Sequence, residues 1–280
     1  MPWAPELFSA PALARMEDEV QRDRIVTVPF FRGLLTGETD ALIGSFAGEP
    51  ELHHPVQGRI RGARAFTEYV ANTNAWLEAH NASIEDVDHT IRTRPRGVGE
   101  VTLHLDGEAG RVDLPVAIVA DRQPDARIDE IRIYYSTWPL TRRHAKRPPV
   151  VQADPDLREP DVVAEYQRAL RAGDVEAIVS VFESDAYARE PAGAGHIHRG
   201  AEGLKTFYEW LFSNGGGISL ERCTLTDDGR ECALEYNVVR WGKSELWPEA
   251  GVAVYVRGES GKLAAARIYD DVSPPLEAPT

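Results

Sequence analysis

The feature that most constrains this chain is that it repeats itself. FFRGLLTGETDALIGSFAGEPELHHPVQG (Phe30–Gly58) and YQRALRAGDVEAIVSVFESDAYAREPAG (Tyr166–Gly193) share one rhythm. Setting Phe30 against Tyr166 aligns Arg32 with Arg168, Leu34 with Leu170 and Gly37 with Gly173. It also aligns Ala41 with Ala177, Phe46 with Phe182 and Pro55 with Pro191. A small shift then brings Arg61-Gly62-Ala63 onto Arg199-Gly200-Ala201, and RIYYSTWPL (Arg132–Leu140) onto RIYDDVSPPL (Arg267–Leu276). Matches in the same order at the same structural points imply one unit used twice. The expected organisation is an N-terminal extension (1–20), a first domain (21–140), a Pro- and charge-rich linker (141–160) and a second domain (161–280).

Each copy reads as helices followed by strands. In the second, Val162, Tyr166 and Leu170 mark a helical face. Gly173 ends that helix, because glycine takes the left-handed cap without a Cβ penalty. Asp174 can cap the next helix, with Val175, Ile178 and Phe182 facing inward. Leu204, Phe207, Tyr208 and Leu211 form a third helical stripe. The period then drops to two in ISLERCTLT, ECALEYNVVRW, AGVAVYVRG and KLAAARIYD. The first copy answers with GEVTLHLDG, RVDLPVAIVAD and RIDEIRIYY. Helices followed by a run of antiparallel strands give an α+β class, each bent antiparallel sheet packed on helices.

The net charge of −14, from 45 acidic and 31 basic residues, argues against nucleic acid and anionic membrane surfaces as partners. No window approaches the ~20 apolar residues of a membrane span, and the N-terminus lacks the pattern of a signal peptide. Cys223 and Cys232 read as reduced thiols, with a disulfide left open, so the expected location is cytoplasmic. The Arg-, Ala- and Gly-rich composition suggests a bacterial source. No Gly-rich phosphate loop, nucleophile elbow or zinc spacing appears, so neither cofactor nor metal is expected.

The run YQRALRAGDVEAIVSVFESDAYAREPAG, then HRGAEGLKTFYEWL, then GKLAAARIY resembles the nuclear transport factor 2 superfamily, especially its SnoaL-like polyketide cyclases and ketosteroid isomerases. The resemblance covers most of Asp161–Pro275 and, more weakly, Arg24–Leu140. It implies two cone-shaped domains, each with an apolar pocket, that pack as a pseudo-dimer within the chain; a further homodimer stays open. Fold alone does not settle function, since the superfamily mixes enzymes and non-catalytic modules.

Carried over by position, the isomerase pattern makes Glu190 the general base and Tyr166 the oxyanion donor. Its second donor falls on Ala253 and is missing. The SnoaL-like pattern of an acid near the last strand, beside a histidine, points to Asp270 and His198. Asp270 and Asp271 are adjacent and expected to face opposite ways, with one in the pocket and the other on the surface. Trp241, Tyr236, Phe207 and Trp210 are the expected ligand-binding residues, with Trp247 as pocket wall or sheet-edge cover and His196 as a surface residue. In the first copy Phe30, His54 and Ile118 stand opposite Tyr166, Glu190 and Ala253, leaving His54, His104 and Tyr135 as candidates for a degenerate pocket.

A carboxylate in an apolar pocket gains basicity through desolvation, and a tyrosine hydroxyl can bind a developing enolate. The expected function is therefore cofactor-free acid–base catalysis on a small apolar carbonyl or epoxide, of the polyketide cyclase, isomerase or epoxide-opening type. The competing reading is a non-catalytic module that binds a small ligand or a protein.

Overall fold

The computed structural model describes residues 28–86, 89–107, 110–125 and 127–275. The expected N-terminal extension lies outside them. The first half runs α1 (Val28–Thr36), α2 (Thr39–Gly44), β1 (Glu51–His54), β2 (Gly58–Arg61), α3 (Ala63–Ala79), β3 (Ser83–Asp86), β4 (Ile91–Arg92), β5 (Arg96–Gly107), β6 (Gly110–Arg122), β7 (Ile128–Tyr134) and α4 (Trp138–Thr141). The second half runs α5 (Asp161–Ala172), α6 (Val175–Ser180), β8 (Phe182–Arg189), β9 (Ile197–Arg199), α7 (Gly200–Leu211), β10 (Ile218–Asp227), β11 (Glu231–Trp241), β12 (Ser244–Arg257) and β13 (Leu263–Tyr269). Among the described residues no helix is long and apolar enough to cross a membrane.

The two sheets have one topology. The first is ordered β2-β1-β7-β6-β5-β3, with β4 also on β5, and the second is β9-β8-β13-β12-β11-β10. Both are mixed rather than wholly antiparallel. In each, the strand after the second helix pairs parallel with the last strand, β1 with β7 and β8 with β13. The helices force this: the chain crosses the sheet before its long meander begins.

Local chemistry sets the helix ends. Gly173 closes α5 at φ 70°, and the Asp174 carboxylate accepts the Ala177 amide at 3.0 Å. Phe182 does not end α6 as expected. It faces the same core as Ile178 but begins β8, because it pairs with Leu263 of β13.

The central strands are buried on both faces, so they read as unbroken apolar runs. On β6, Val116, Ile118 and Ala120 enter the first-half core, while Ala117 and Val119 face away. On β12, Ala253 and Tyr255 enter the second-half core, while Val252 and Val254 face away. The outward sets meet, and the sheets pack face to face with Tyr134 and Tyr269 in the same cluster.

Paired charges bracket that interface with a near two-fold. Arg132 of β7 forks onto Glu235 of β11 at 2.6 and 3.0 Å, and the Tyr134 hydroxyl donates to the same carboxylate. Arg267 of β13 forks onto Glu100 of β5 at 2.6 and 2.7 Å, and the Tyr269 hydroxyl donates there. Each Arg, Tyr and Glu sits at the position its counterpart holds in the other half, as in an isologous dimer. Burial would raise the Glu235 carboxyl, but the Arg132 guanidinium outweighs it and holds it below the usual range.

The segment joining the halves is largely exposed but pinned at Arg147. Arg147 is buried, lies 4.1 Å over the Tyr134 ring, and accepts the Ala250 amide on its carbonyl at 2.9 Å. Cys223 and Cys232 are buried and free, which closes the disulfide alternative.

Candidate active site

The helices α5 and α7 and the concave face of the second sheet enclose a cavity of about 890 Å³. Glu190 reaches it because Pro191, with no amide to donate, ends β8 there. The chain turns, the Glu190 amide donates to the His196 carbonyl at 3.0 Å, and β9 returns antiparallel with His198 opposite Ala188. The turn sets the His198 Nε2–H 2.6 Å from Glu190 Oε1. The imidazole also lies flat against Phe207 of α7, with ring centres 4.1 Å apart and planes at 10°.

Asp270 follows the last strand and accepts the Tyr236 hydroxyl at 2.8 Å. Burial pushes its carboxyl up to about 6, against the Tyr236 hydroxyl and the Val272 amide, which favour the anion. Tyr166 and Tyr208 share a hydroxyl–hydroxyl bond of 2.8 Å. Burial raises both, Tyr166 to about 12, so they stay neutral. Whichever accepts keeps its own proton for a ligand.

The eight second-half residues expected to be catalytic or ligand-binding, Glu190, Tyr166, Asp270, His198, Trp241, Tyr236, Phe207 and Trp210, line this one cavity. His196 does so as well, at an exposed rim position. Trp247 does not; it is 84% exposed. Tyr208 and Tyr255 are lining residues that the sequence showed only as core stripe and strand. Trp138 and His144 also line the cavity although they precede the second domain, and no local pattern marks them.

Asp271 is not on the surface, as adjacency to Asp270 suggested. It is buried and gathers donors from the end of the first half and the joining segment: Ser136 Oγ, Thr137 N, His144 Nδ1 and Ala145 N, at 2.6 to 3.0 Å. Burial would raise its carboxyl, but His144, Ser136 and Thr137 prevail and hold it below the usual range.

The three first-half candidates do not form one site. The Tyr135 hydroxyl lies 3.4 Å from His54 Nε2, and His54 Nδ1 accepts the Val56 and Gln57 amides at 3.2 and 3.1 Å. Burial, helped by the Arg147 charge, pushes the His54 imidazole down to about 4. His104 stands apart. Leu103 and Leu105 of β5 enter the core, so strand alternation turns His104 outward, onto Asp113 at 2.6 Å and Glu85 at 3.1 Å. Glu51, His53 and Glu130 lie within reach of a single ion. Arg59 and Arg61 already face Glu51, and Arg132 faces Glu130.

Residues 163–266 match the SnoaL-like domain family. No protein of curated function matches the chain. Among solved structures, a putative polyketide cyclase from Sinorhizobium meliloti is 21% identical over 39% of this chain and 94% of its own, with a TM-score of 0.34. An epoxide hydrolase/cyclase-like enzyme, described for pyran ring formation in the polyether salinomycin, is 21% identical over 41% and 91%, with a TM-score of 0.34. A hypothetical protein with a ketosteroid isomerase-like fold from Catenulispora acidiphila is 15% identical over 42% and 90%, with a TM-score of 0.36. The second half of the chain therefore carries a SnoaL-like domain, at residues 163–266.

Proposed function

We propose that the second-half cavity performs acid–base chemistry on a small apolar carbonyl or epoxide substrate, of the polyketide cyclase, isomerase or epoxide-opening type. The observation that carries this reading is the company Asp270 keeps. A carboxyl raised to about 6 shares an aromatic-walled cavity with the His198–Glu190 pair. A carboxyl and an imidazole–carboxylate pair in one apolar pocket can remove a proton at one atom and supply one at another.

The Glu190 carboxylate fixes the His198 tautomer with its proton on Nε2, so Nδ1 keeps a lone pair. The pair is the proposed base. Neutral Asp270, or the free proton of the Tyr166–Tyr208 pair, is the proposed donor to the substrate oxygen. Phe207, Trp210 and Trp241 supply the apolar faces that hold the ligand and keep water out.

The test is α-proton exchange of 2-tetralone in D2O, with styrene oxide opening as the epoxide counterpart. The expected result is exchange or opening above the buffer rate, reduced about 10²-fold in Glu190→Gln and in Asp270→Asn, the lower end of what one acid–base group contributes. The second reading, a binding module, draws on the fact that Glu190 with His198 and Tyr166 with Tyr208 already satisfy one another. Ligand uptake with no exchange, indifferent to both substitutions, would decide for it.

A further inference from the structure

The cavity of the second half is lined in part by residues of the first half and the joining segment. Trp138, at the start of α4, and His144 both line it. Their rings stack at 5.0 Å with planes at 14°, and the Arg142 guanidinium lies 6.0 Å over the indole. This strap is held in one shape. Arg142 takes a left-handed φ of 56°, and the Thr141 hydroxyl accepts the Arg143 amide at 3.2 Å. Asp271 then ties Ser136, Thr137, His144 and Ala145 to the end of β13, one residue beyond Asp270.

We propose that His144 is a catalytic acid–base residue of this cavity, with Asp271 as its positioning carboxylate. The proposal rests on the acid–base reading of the same cavity and adds to it a working group from outside the SnoaL-like domain. Three observations carry it. His144 Nδ1 lies 3.0 Å from Asp271 Oδ1, so the carboxylate accepts a hydrogen bond from Nδ1–H and leaves the lone pair on Nε2. Among the described residues Nε2 has no protein partner, whereas His198 Nε2 is spent on Glu190. Its ring is also clamped against Trp138, so the open nitrogen is fixed relative to the cavity.

In the proposed step Nε2 takes a proton from the substrate carbon next to a carbonyl. The C–H electron pair passes into the carbonyl oxygen as the enolate, and the imidazolium is stabilised by Asp271. Returning the proton to carbon or oxygen restores the neutral ring. His144 meets Asp271 at the end of β13 and the charge of Glu249 of β12; Asp270 and Lys146 act on those two carboxylates in turn, and Arg142 lies over the Trp138 ring that stacks on His144.

The full-length chain is tested with 4-nitrophenol, whose absorbance separates phenol from phenolate, and with 2-tetralone. The expected result is that saturating 4-nitrophenol shifts the His144 side-chain ¹⁵N signals. In His144→Gln the bound phenolate fraction near neutral pH falls, and ketone exchange drops about 10²-fold. In His144→Ala, free imidazole restores exchange. Asp271→Asn moves the pH profile of phenolate uptake, whereas Thr141→Val, which loosens the strap without touching the imidazole, does not. Thermal unfolding of each variant separates these effects from loss of fold.

Unshifted His144 signals with unchanged phenolate uptake in His144→Gln overturn the proposal. So does exchange that survives in His144→Gln while Glu190→Gln abolishes it, and then the acid–base reading stands without His144. Wild-type chain that takes up phenolate through His144 but neither exchanges 2-tetralone nor opens styrene oxide overturns both the catalytic role and the acid–base reading.

Discussion

The two halves share a strand order, a glycine-closed first turn and matching interface arginines, yet what their concave faces hold is opposite in kind. Where the second half has Tyr166, Glu190 and Asp270 around a cavity, the first has Phe30, His54 and Tyr135. His54 accepts two backbone amides and abuts Tyr69 and Tyr135, so its polarity is consumed in closing its own turn. Positions that build the fold match in both copies, while the polar positions that line the second-half cavity have no match in the first. The first half therefore serves the second as a wall. It supplies the sheet face that covers Val252 and Val254, and the strap that lines part of the cavity.

If that is right, the interface is where the halves are equal. Arg132→Ala and Arg267→Ala leave buried glutamates without their guanidinium, Glu235 in one case and Glu100 with Glu231 in the other. Removing one partner of a buried pair costs about 3–5 kcal/mol. Both variants should lower the urea midpoint by similar, large amounts. Unequal losses would mean that the near two-fold symmetry of the contacts does not extend to their energetics.

Chemistry is where the halves should differ. Glu190→Gln is expected to cost about 10²-fold in 2-tetralone exchange. His54→Gln, at the matching position, should leave exchange unchanged. A loss on His54→Gln that thermal unfolding does not explain would return the first half to the list of working sites.

What was legible in the sequence follows the range of the forces involved. The Gly173 cap, the Asp174 cap and the alternation of the long strands depend on a few neighbouring residues, and the chain states them outright. Helical period showed that Tyr166 and Phe207 face inward, whereas Glu190, Asp270 and His198 were picked out only through the resemblance to SnoaL-like cyclases and ketosteroid isomerases. His104 was misassigned by type rather than period, since counting along β5 from Leu103 and Leu105 turns it outward. Phe182 was misplaced because pairing with Leu263, far along the chain, outweighs the helical pattern behind it. Asp271 and His144 were the least legible. Each is defined by the other across 127 positions of sequence, and no local period encodes that meeting.

Those two adjacent acids, Asp270 and Asp271, make the stability of the second half depend on pH in two opposed ways. Asp270 is raised in the fold, so the folded state binds its proton more tightly than the unfolded chain. Its stabilising share is full below about pH 4 and is lost as pH rises through about 6, on the order of 3 kcal/mol at most. Asp271 is lowered, so its share is present above about pH 4 and is lost as pH falls through its depressed value. Asp270→Asn should therefore flatten the decline in stability between about pH 4 and 6, while Asp271→Asn should lower stability at neutral pH. The same slope in wild type and Asp270→Asn would assign the titration elsewhere. In the first half Tyr135 and Ser136 hold the matching positions, so nothing there supplies a counterpart.

The finest contrast lies at the two glycines that open the repeat. Gly37 and Gly173 both sit left-handed, at φ 69° and 70°. An alanine at either therefore bears the backbone cost of that conformation, about 1–2 kcal/mol. Their surroundings differ. A Cβ at Gly37 would meet only the Asn74 side chain, at 3.7 Å, an ordinary contact. One at Gly173 would meet backbone atoms of Gly216 and Gly217 at 2.8 to 2.9 Å, so the loop leading into β10 must move. That loop precedes Ile218, which lines the cavity. Gly173→Ala should thus cost more than Gly37→Ala in denaturant unfolding and also weaken 4-nitrophenol uptake, which Gly37→Ala should spare. Equal losses with uptake intact in both would mean that the loop shifts freely, and that the close approach at Gly173 plays no part in shaping the cavity.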